Sequence, residues 1–271
     1  MQNYTVKSGD TLRGIAIKFY GDASKFIVIQ EANDIINPNQ ISVGQVLEIP
    51  DIDGDDVTNP LENFHRAFAN GVRWRLTTDG LEIEGSGIER TSGSPTTVTK
   101  IWNDFSGAIN QWSNHFNVPA VIIIATIATE SSGRPDVTRE EPGYVSDPVT
   151  PGKISVGLMQ TLISTARGTL HDPTIDRNKL KDPSISIKAG TSFIADQRSK
   201  TLLDPPKVAC AYNAGSIIEN RNSNNRWRMR QFPIGTSKHC DRFIKFFNDA
   251  VFVLKGTTTP VSVGYQQFYL S

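Results

Sequence analysis

Cysteine is almost absent from this sequence: Cys210 and Cys240 are the only two in 271 residues. A scaffold held by several disulfides is therefore excluded, while the pair itself is compatible with one bridge or with two buried thiols. The four histidines stand at 65, 115, 171 and 239, no two at metal-ligand spacing, so neither a metal nor another cofactor is expected. Long hydrophobic runs are missing too. The longest, Val118 to Ala128, is too short to span a bilayer and leads into Glu130, so no membrane span is expected. The chain enters a polar, strand-like segment at Asn3-Tyr4-Thr5-Val6 with neither a basic nor an apolar leader region, and no secretory signal is expected. Formal net charge is zero. Without a dense Lys/Arg stripe, a nucleic-acid partner is not expected either.

What charge there is lies unevenly. Residues 1–53 and 54–98 each carry four Lys/Arg against seven Asp/Glu, which leaves 20 against 14 for 99–271. The C-terminal part, net +6, suits a polyanionic substrate. It also holds the stretch around which the chain is organised, Pro119 to Gly133. Pro119 suits the first turn of a helix and Gly133 the residue past its end, and between Val121 and Ala128 only Thr126 breaks the apolar run. A helix apolar nearly all round belongs in a core. Glu130 emerges at its C-terminal end, where low dielectric and the negative end of the helix dipole both disfavour a carboxylate. That makes Glu130 a candidate general acid.

Residues 2–50 read as strand, helix, helix, strand. Tyr4-Thr5-Val6 alternates as a strand does, Ser8 or Asp10 can cap a helix bearing Leu12, Ile15, Ala16 and Phe19, Ser24 can cap a second helix, and Val46 to Ile49 closes the unit. The runs Tyr4 to Leu12, Ala32-Asn33, Asn37-Pro38 and Val43 to Pro50 resemble a LysM module from end to end. The resemblance implies binding of N-acetylglucosamine-containing glycans, peptidoglycan or chitin. The groove would lie between the loop at Gly9, Asp10, Thr11 and Leu12 and the loop bearing Ile36, Asn37 and Pro38.

An acidic linker follows, Asp51 to Asp56, and then a hairpin pattern. Val72 to Leu76 and Leu81 to Glu84 alternate apolar and charged residues about Asp79-Gly80. A lone hairpin is marginal in water, so this one should pack on a neighbour. Ser86-Gly87 and Thr91 to Thr97 read as a flexible tether.

Beyond Ile101 the pattern is helical, with Trp102, Phe105, Ile109, Trp112 and Phe116 on one face. A long loop, Arg134 to Ser155, contains Asp136, Glu140, Glu141 and Asp147. Loops of that length tend to be functional. Helices are expected over Ser164–Leu170, Ile185–Arg198, from Lys207 into Asn213, and from Cys240 to about Leu254. Three motifs stand in order: Glu130-Ser131, Gly157-Leu158-Met159-Gln160, and Ala211-Tyr212-Asn213-Ala214-Gly215. Together they resemble the catalytic domain of soluble lytic transglycosylases, which share a lysozyme-like fold with goose-type lysozymes.

The resemblance implies an α+β multidomain chain. A small βααβ LysM module would occupy 1–53 and a mostly α-helical lysozyme-like domain 99–271, while the alternation pattern, with no family resemblance, makes 54–98 a short β-rich linker segment with the hairpin. It implies cleavage of the β-1,4 bond between N-acetylmuramic acid and N-acetylglucosamine in peptidoglycan, with 1,6-anhydro ends. Glu130 would be the single catalytic acid, with Ser131 positioning the sugar and Gly157 letting backbone approach the glycan. Leu158 would lie in the same substrate-binding segment, Met159 and Gln160 on the cleft wall, and Tyr212 and Asn213 across the cleft. A loop carboxylate, Asp136, Glu140, Glu141 or Asp147, could instead hold a water and make the protein a hydrolysing muramidase. Chitin cleavage is a third option. From another class, the chain could be a non-catalytic wall-binding or baseplate component. Lacking a leader, it would be delivered by a phage tail, an injection device or a holin, with proteins of that machinery as partners.

Overall fold

The computed structural model describes residues 2–20, 25–33, 35, 41–50 and 60–270, leaving aside the side chains of Ile27, Glu31 and Pro60. The N-terminal unit is built from β1 (Gln2–Thr5), α1 (Leu12–Tyr20), α2 (Phe26–Ala32) and β2 (Val46–Ile49), with β1 antiparallel to β2 so that Tyr4 faces Leu47. Its small core gathers Val6, Leu12, Ile15, Ala16, Ile29, Leu47 and Ile49. Asn33 ties α2 to β2: its amide donates to the Ile29 and Glu48 carbonyls at 2.7 Å each and accepts from Glu48 N at 2.7 Å. The cap of α1 is neither Ser8 nor Asp10. Thr11 Oγ1 accepts from Gly14 N at 3.0 Å, while the Asp10 carboxylate takes Lys7 N and the Tyr4 hydroxyl, both at 2.8 Å. The expected cap at Ser24 lies outside the described residues, as does the acidic stretch 51–56.

After a single 3-10 turn at Pro60–Glu62 comes the hairpin, β3 (Trp74–Thr77) and β4 (Gly80–Ile83), in the register expected about Asp79-Gly80. It is not part of a linker. Trp74, Leu76, Leu81 and Ile83 are all buried in the same core as the helices that follow. Four such side chains contribute on the order of 10 kcal/mol of burial. Polar contacts complete the attachment. Asn248 accepts from Leu81 N at 2.7 Å and donates to the Leu81 and Glu89 carbonyls at 3.0 and 2.8 Å. The segment expected to be a tether is likewise pinned, since Arg90 and Thr91 both donate to the buried Asp249 carboxylate.

The helical body follows: α3 (Thr96–Phe116), α4 (Ala120–Glu130), a sheet of β5 (Thr138–Glu140), β6 (Ile154–Val156) and β7 (Thr161–Leu162), then α5 (Ile163–Leu170), α6 (Arg177–Lys181), α7 (Pro183–Asp196), α8 (Arg198–Thr201), α9 (Pro205–Ala214), α10 (Lys238–Lys255) and α11 (Tyr265–Tyr269). The sheet runs β5-β6-β7, antiparallel throughout. Helix α4 is the axis of the body. Ten of its eleven residues are buried, and α3 and α10 pack along it. The aromatic stripe of α3 faces this core, as its spacing implies. The expected helices are all present, with ends shifted by at most two residues except in α3, which begins at Thr96, five residues before Ile101 and within the stretch expected to be a tether. Cys210 and Cys240 are buried free thiols, not a bridge. Among the described residues no helix is long and apolar enough to cross a membrane, and no group of three or more His, Cys, Asp or Glu is placed to hold a metal.

Candidate active site

Glu130 is the last residue of α4, so its carboxyl stands where the buried helix meets the surface, 15% exposed. Burial pushes its pKa up to about 7, although the positive charges of Arg139 and Arg242 pull the other way. Near neutral pH it is therefore half protonated, the condition a general acid that must also act as a base requires. Arg242, in the first turns of α10, donates through Nη2 to the Ala128 carbonyl at 3.2 Å and to Ser132 Oγ at 3.1 Å. Its guanidinium thus satisfies the open end of α4 and offsets the helix dipole there. The chain leaves α4 through two left-handed residues, Ser132 and Gly133. A Cβ on Gly133 would meet Ile101 Cγ1 at 2.9 Å, so glycine is needed there for closeness as well as for its φ of +80°.

Several residues expected to touch substrate instead build the frame that holds Glu130. Ser131 is buried, and its hydroxyl donates to the Leu158 carbonyl at 2.7 Å, lies 3.2 Å from the Ile127 carbonyl and accepts from Gly133 N at 3.2 Å. It fastens the end of α4 to the turn between β6 and β7 rather than facing a sugar. In that turn Leu158 and Met159 are fully buried, so neither side chain walls a cleft. Gly157 has a φ of +81°, and a Cβ there would come within 2.0 Å of the Leu180 carbonyl oxygen. The close approach it permits is to its own chain. Gln160 closes the turn, donating to the Val137 and Gly157 carbonyls at 2.9 Å each and accepting from Ser155 Oγ at 3.1 Å. The replacement Ser131→Ala removes the bracket between α4 and this turn. It should cost about 1–2 kcal/mol in urea unfolding, with a larger proportional loss of activity.

Tyr212 and Asn213, at the end of α9, stand on the far side. The Tyr212 hydroxyl donates to the Met159 carbonyl at 2.8 Å and lies 3.2 Å from Thr161 Oγ1. Burial, and to a lesser degree the Glu130 charge, raise its pKa, so the phenol keeps its proton. Asn213 accepts from Phe232 N at 2.5 Å, and its Nδ2 lies 3.4 Å from His239 Nδ1. Its amide is thus engaged within the protein rather than held open for a substrate acetamide. His239 completes the ring, its Nε2 3.7 Å from Glu130 Oε1. Burial and then the charges of Arg242 and Arg139 push its pKa down to about 4. At neutral pH the imidazole is uncharged and the contact is no ion pair.

Three of the loop carboxylates lie against arginines. Arg177 binds both Asp147 oxygens, at 3.0 and 2.8 Å, together with the Tyr144 hydroxyl at 2.8 Å and Glu140 at 3.4 Å. Glu141 lies 3.9 Å from Arg139, and Asp136 is exposed. The charges acting on Glu130 are the two guanidinium groups, not a second carboxylate. Sequence reasoning missed His239, Arg242 and Arg139. The available signal was the spacing of His239 and Arg242, which puts both on one face of α10 in its first turns. In the N-terminal unit, Gly9, Asp10 and Thr11 form an accessible loop, while Leu12 is core. Ile36, Asn37 and Pro38 lie outside the described residues.

Residues 107–231 match the transglycosylase SLT domain, and residues 4–50 match the LysM domain. The chain carries a LysM domain followed by an SLT domain. The SLT match takes in Glu130, the β6–β7 turn, Tyr212 and Asn213, and stops short of α10. Among curated relatives, Esterase Rv1288 of Mycobacterium tuberculosis is 54% identical over 46 residues, 17% of this chain and 10% of that protein. The potassium binding protein Kbp of Escherichia coli is 50% identical over 52 residues, 18% of this chain and 35% of that one. The chain thus spans between a tenth and about a third of the relatives it matches. Of solved structures, the lytic transglycosylase Slt of Pseudomonas aeruginosa aligns at a TM-score of 0.43 and 16% identity, over 60% of this chain and 26% of that one. The 70 kDa soluble lytic transglycosylase of Escherichia coli aligns at 0.41 and 16%, over 66% and 34%.

Proposed function

We propose that this protein is a peptidoglycan lytic transglycosylase, with Glu130 as its only acid and base and the LysM domain as its wall anchor. The observation that carries this reading is Glu130 itself, a single buried carboxyl at the end of α4, its pKa near 7, with cationic and neutral partners around it. In its neutral form it protonates the glycosidic oxygen leaving N-acetylmuramic acid. As a carboxylate it then takes the proton of the C6 hydroxyl while that oxygen attacks C1, so no water and no second carboxylate are required. The guanidinium charges of Arg139 and Arg242 lower the cost of the ionised form between the two steps. Tyr212, held to the β6–β7 turn through the Met159 carbonyl, stands across from Glu130.

Purified peptidoglycan should be solubilised by the protein, with rates that fall as pH rises through about 7 and Glu130 loses the proton it must donate. Deleting residues 1–53 should weaken binding to intact sacculi by roughly tenfold or more, as loss of one linked binding module does. Cleavage of short soluble glycans should survive that deletion, because the LysM core is self-contained. Equal binding with and without the LysM domain would refute its anchoring role.

A further inference from the structure

Three groups line up behind the candidate acid. Phe232 N–H donates to Asn213 Oδ1 at 2.5 Å, which fixes the amide with Nδ2 on its other side. That Nδ2 faces His239 Nδ1 at 3.4 Å, and in the tautomer in which Nδ1 accepts from it the ring proton sits on Nε2. Nε2 faces Glu130 Oε1 at 3.7 Å, just beyond hydrogen-bonding range. The imidazole is 11% exposed, and burial with the charges of Arg242 and Arg139 disfavours its positive form more than the Ala209 carbonyl, an acceptor for the ring, favours it. The charged and titratable groups facing this pair are Arg242 on the same helix, Arg139 from β5 and Tyr212 from α9, with the Ala209 carbonyl also against the ring.

We propose that His239 is a positioning residue for Glu130: its Nε2–H, aimed by Asn213, closes onto Oε1 when the carboxyl gives up its proton, and holds the carboxylate in place for the next one. A movement of about 0.7 Å brings the pair to an ordinary hydrogen bond. The balance of the reaction is unchanged. Glu130 transfers its proton to the leaving oxygen as the C1–oxygen bond breaks, then regains one from the C6 hydroxyl as the new C1–oxygen bond forms, and His239 keeps its own proton throughout. A neutral donor suits this role better than a cation, since it steadies the carboxylate without driving Glu130 so far down that it no longer carries a proton near pH 7. The proposal rests on the transglycosylase reading for its role in turnover, while the contact itself can be tested without turnover.

Two substitutions separate a donor from a space-filler. Phe fills the ring's volume and donates nothing; Gln can place an amide N–H close to Nε2. The titration of Glu130 is read from stability against pH, each variant compared with the same variant carrying Glu130→Gln, and kcat and KM are measured on peptidoglycan. His239→Phe should move that titration upward by about one pH unit. It should also lower kcat by roughly 10–100-fold with KM little changed, a size typical of losing a group that orients an active-site ligand. His239→Gln should restore the titration and most of kcat. An unmoved titration in His239→Phe, or equal shifts in Phe and Gln, would overturn the proposal. If the titration shifts as expected but the unaltered protein leaves peptidoglycan intact, the contact stands and the functional reading fails.

Discussion

Glu130→Gln is expected to lose about 10²–10⁴-fold in peptidoglycan cleavage and, at the same time, to become more stable above neutral pH. The two effects share a cause. Folding raises the carboxyl from the ordinary value of 4.5 to about 7, because the end of α4 is buried. Below about pH 4.5 the group is neutral in both the folded and the unfolded chain, and burial costs nothing extra. Between 4.5 and 7 the unfolded chain loses the proton first, so stability falls as pH rises. Above 7 the full difference is felt, about 3 kcal/mol. Glutamine has the same shape and no charge, so it abolishes this loss. Thermal unfolding should therefore show little change at pH 4 and a rise of roughly 6–12 °C at pH 8. A variant that is inactive but no more stable at pH 8 would mean that Glu130 is not held neutral by burial.

The second large effect lies far from Glu130. Asp204, at the start of α9, is fully buried and gathers Trp74 Nε1 at 2.8 Å, His65 Nε2 at 3.1 Å and Lys207 Nζ at 3.2 Å. Burial alone would push its carboxyl up, but His65, Lys207 and Trp74 more than offset it, so its pKa is lowered. Asp204→Ala leaves a buried indole N–H and an ammonium group without their acceptor. The expected loss is about 3–5 kcal/mol, the scale of breaking a buried ion pair from one side. A fall of roughly 6–20 °C in Tm follows. Because a lowered carboxyl stabilises above its unfolded pKa, the contribution of Asp204 should persist at neutral pH and vanish as acid protonates it. A neutral result would mean that residues 60–95 are an ornament on the helical body; a large one would establish them as part of its core.

These two sites differ in how far they could be read from sequence. The helix bearing Glu130 was legible because its apolar run admits few other environments, and burial is the largest influence on its carboxyl. The hairpin was legible from the period-2 pattern about Asp79-Gly80. Its burial against the helical body was not, because the partners that fix it, Asn248 on α10 and Asp204 before α9, are distant polar residues with no periodicity of their own. Around Glu130 the short motifs mark segments that the structure brings together, while several of their side chains are engaged within the chain. Ser131, Gln160 and Asn213 are polar residues at a rim, which in sequence read as substrate contacts. Only the structure shows their hydrogen bonds already spent on the chain. His239 and Arg242 reach the site from a helix whose evident feature in sequence was its Phe-rich face.

The central claim, one acid and no activated water, is tested most directly by the mass of the glycan ends released from purified peptidoglycan. Muropeptides ending in 1,6-anhydro-N-acetylmuramic acid, absent with Glu130→Gln, are the expected products. Reducing ends heavier by one water would contradict the account and make one of Asp136, Glu140, Glu141 or Asp147 the missing base.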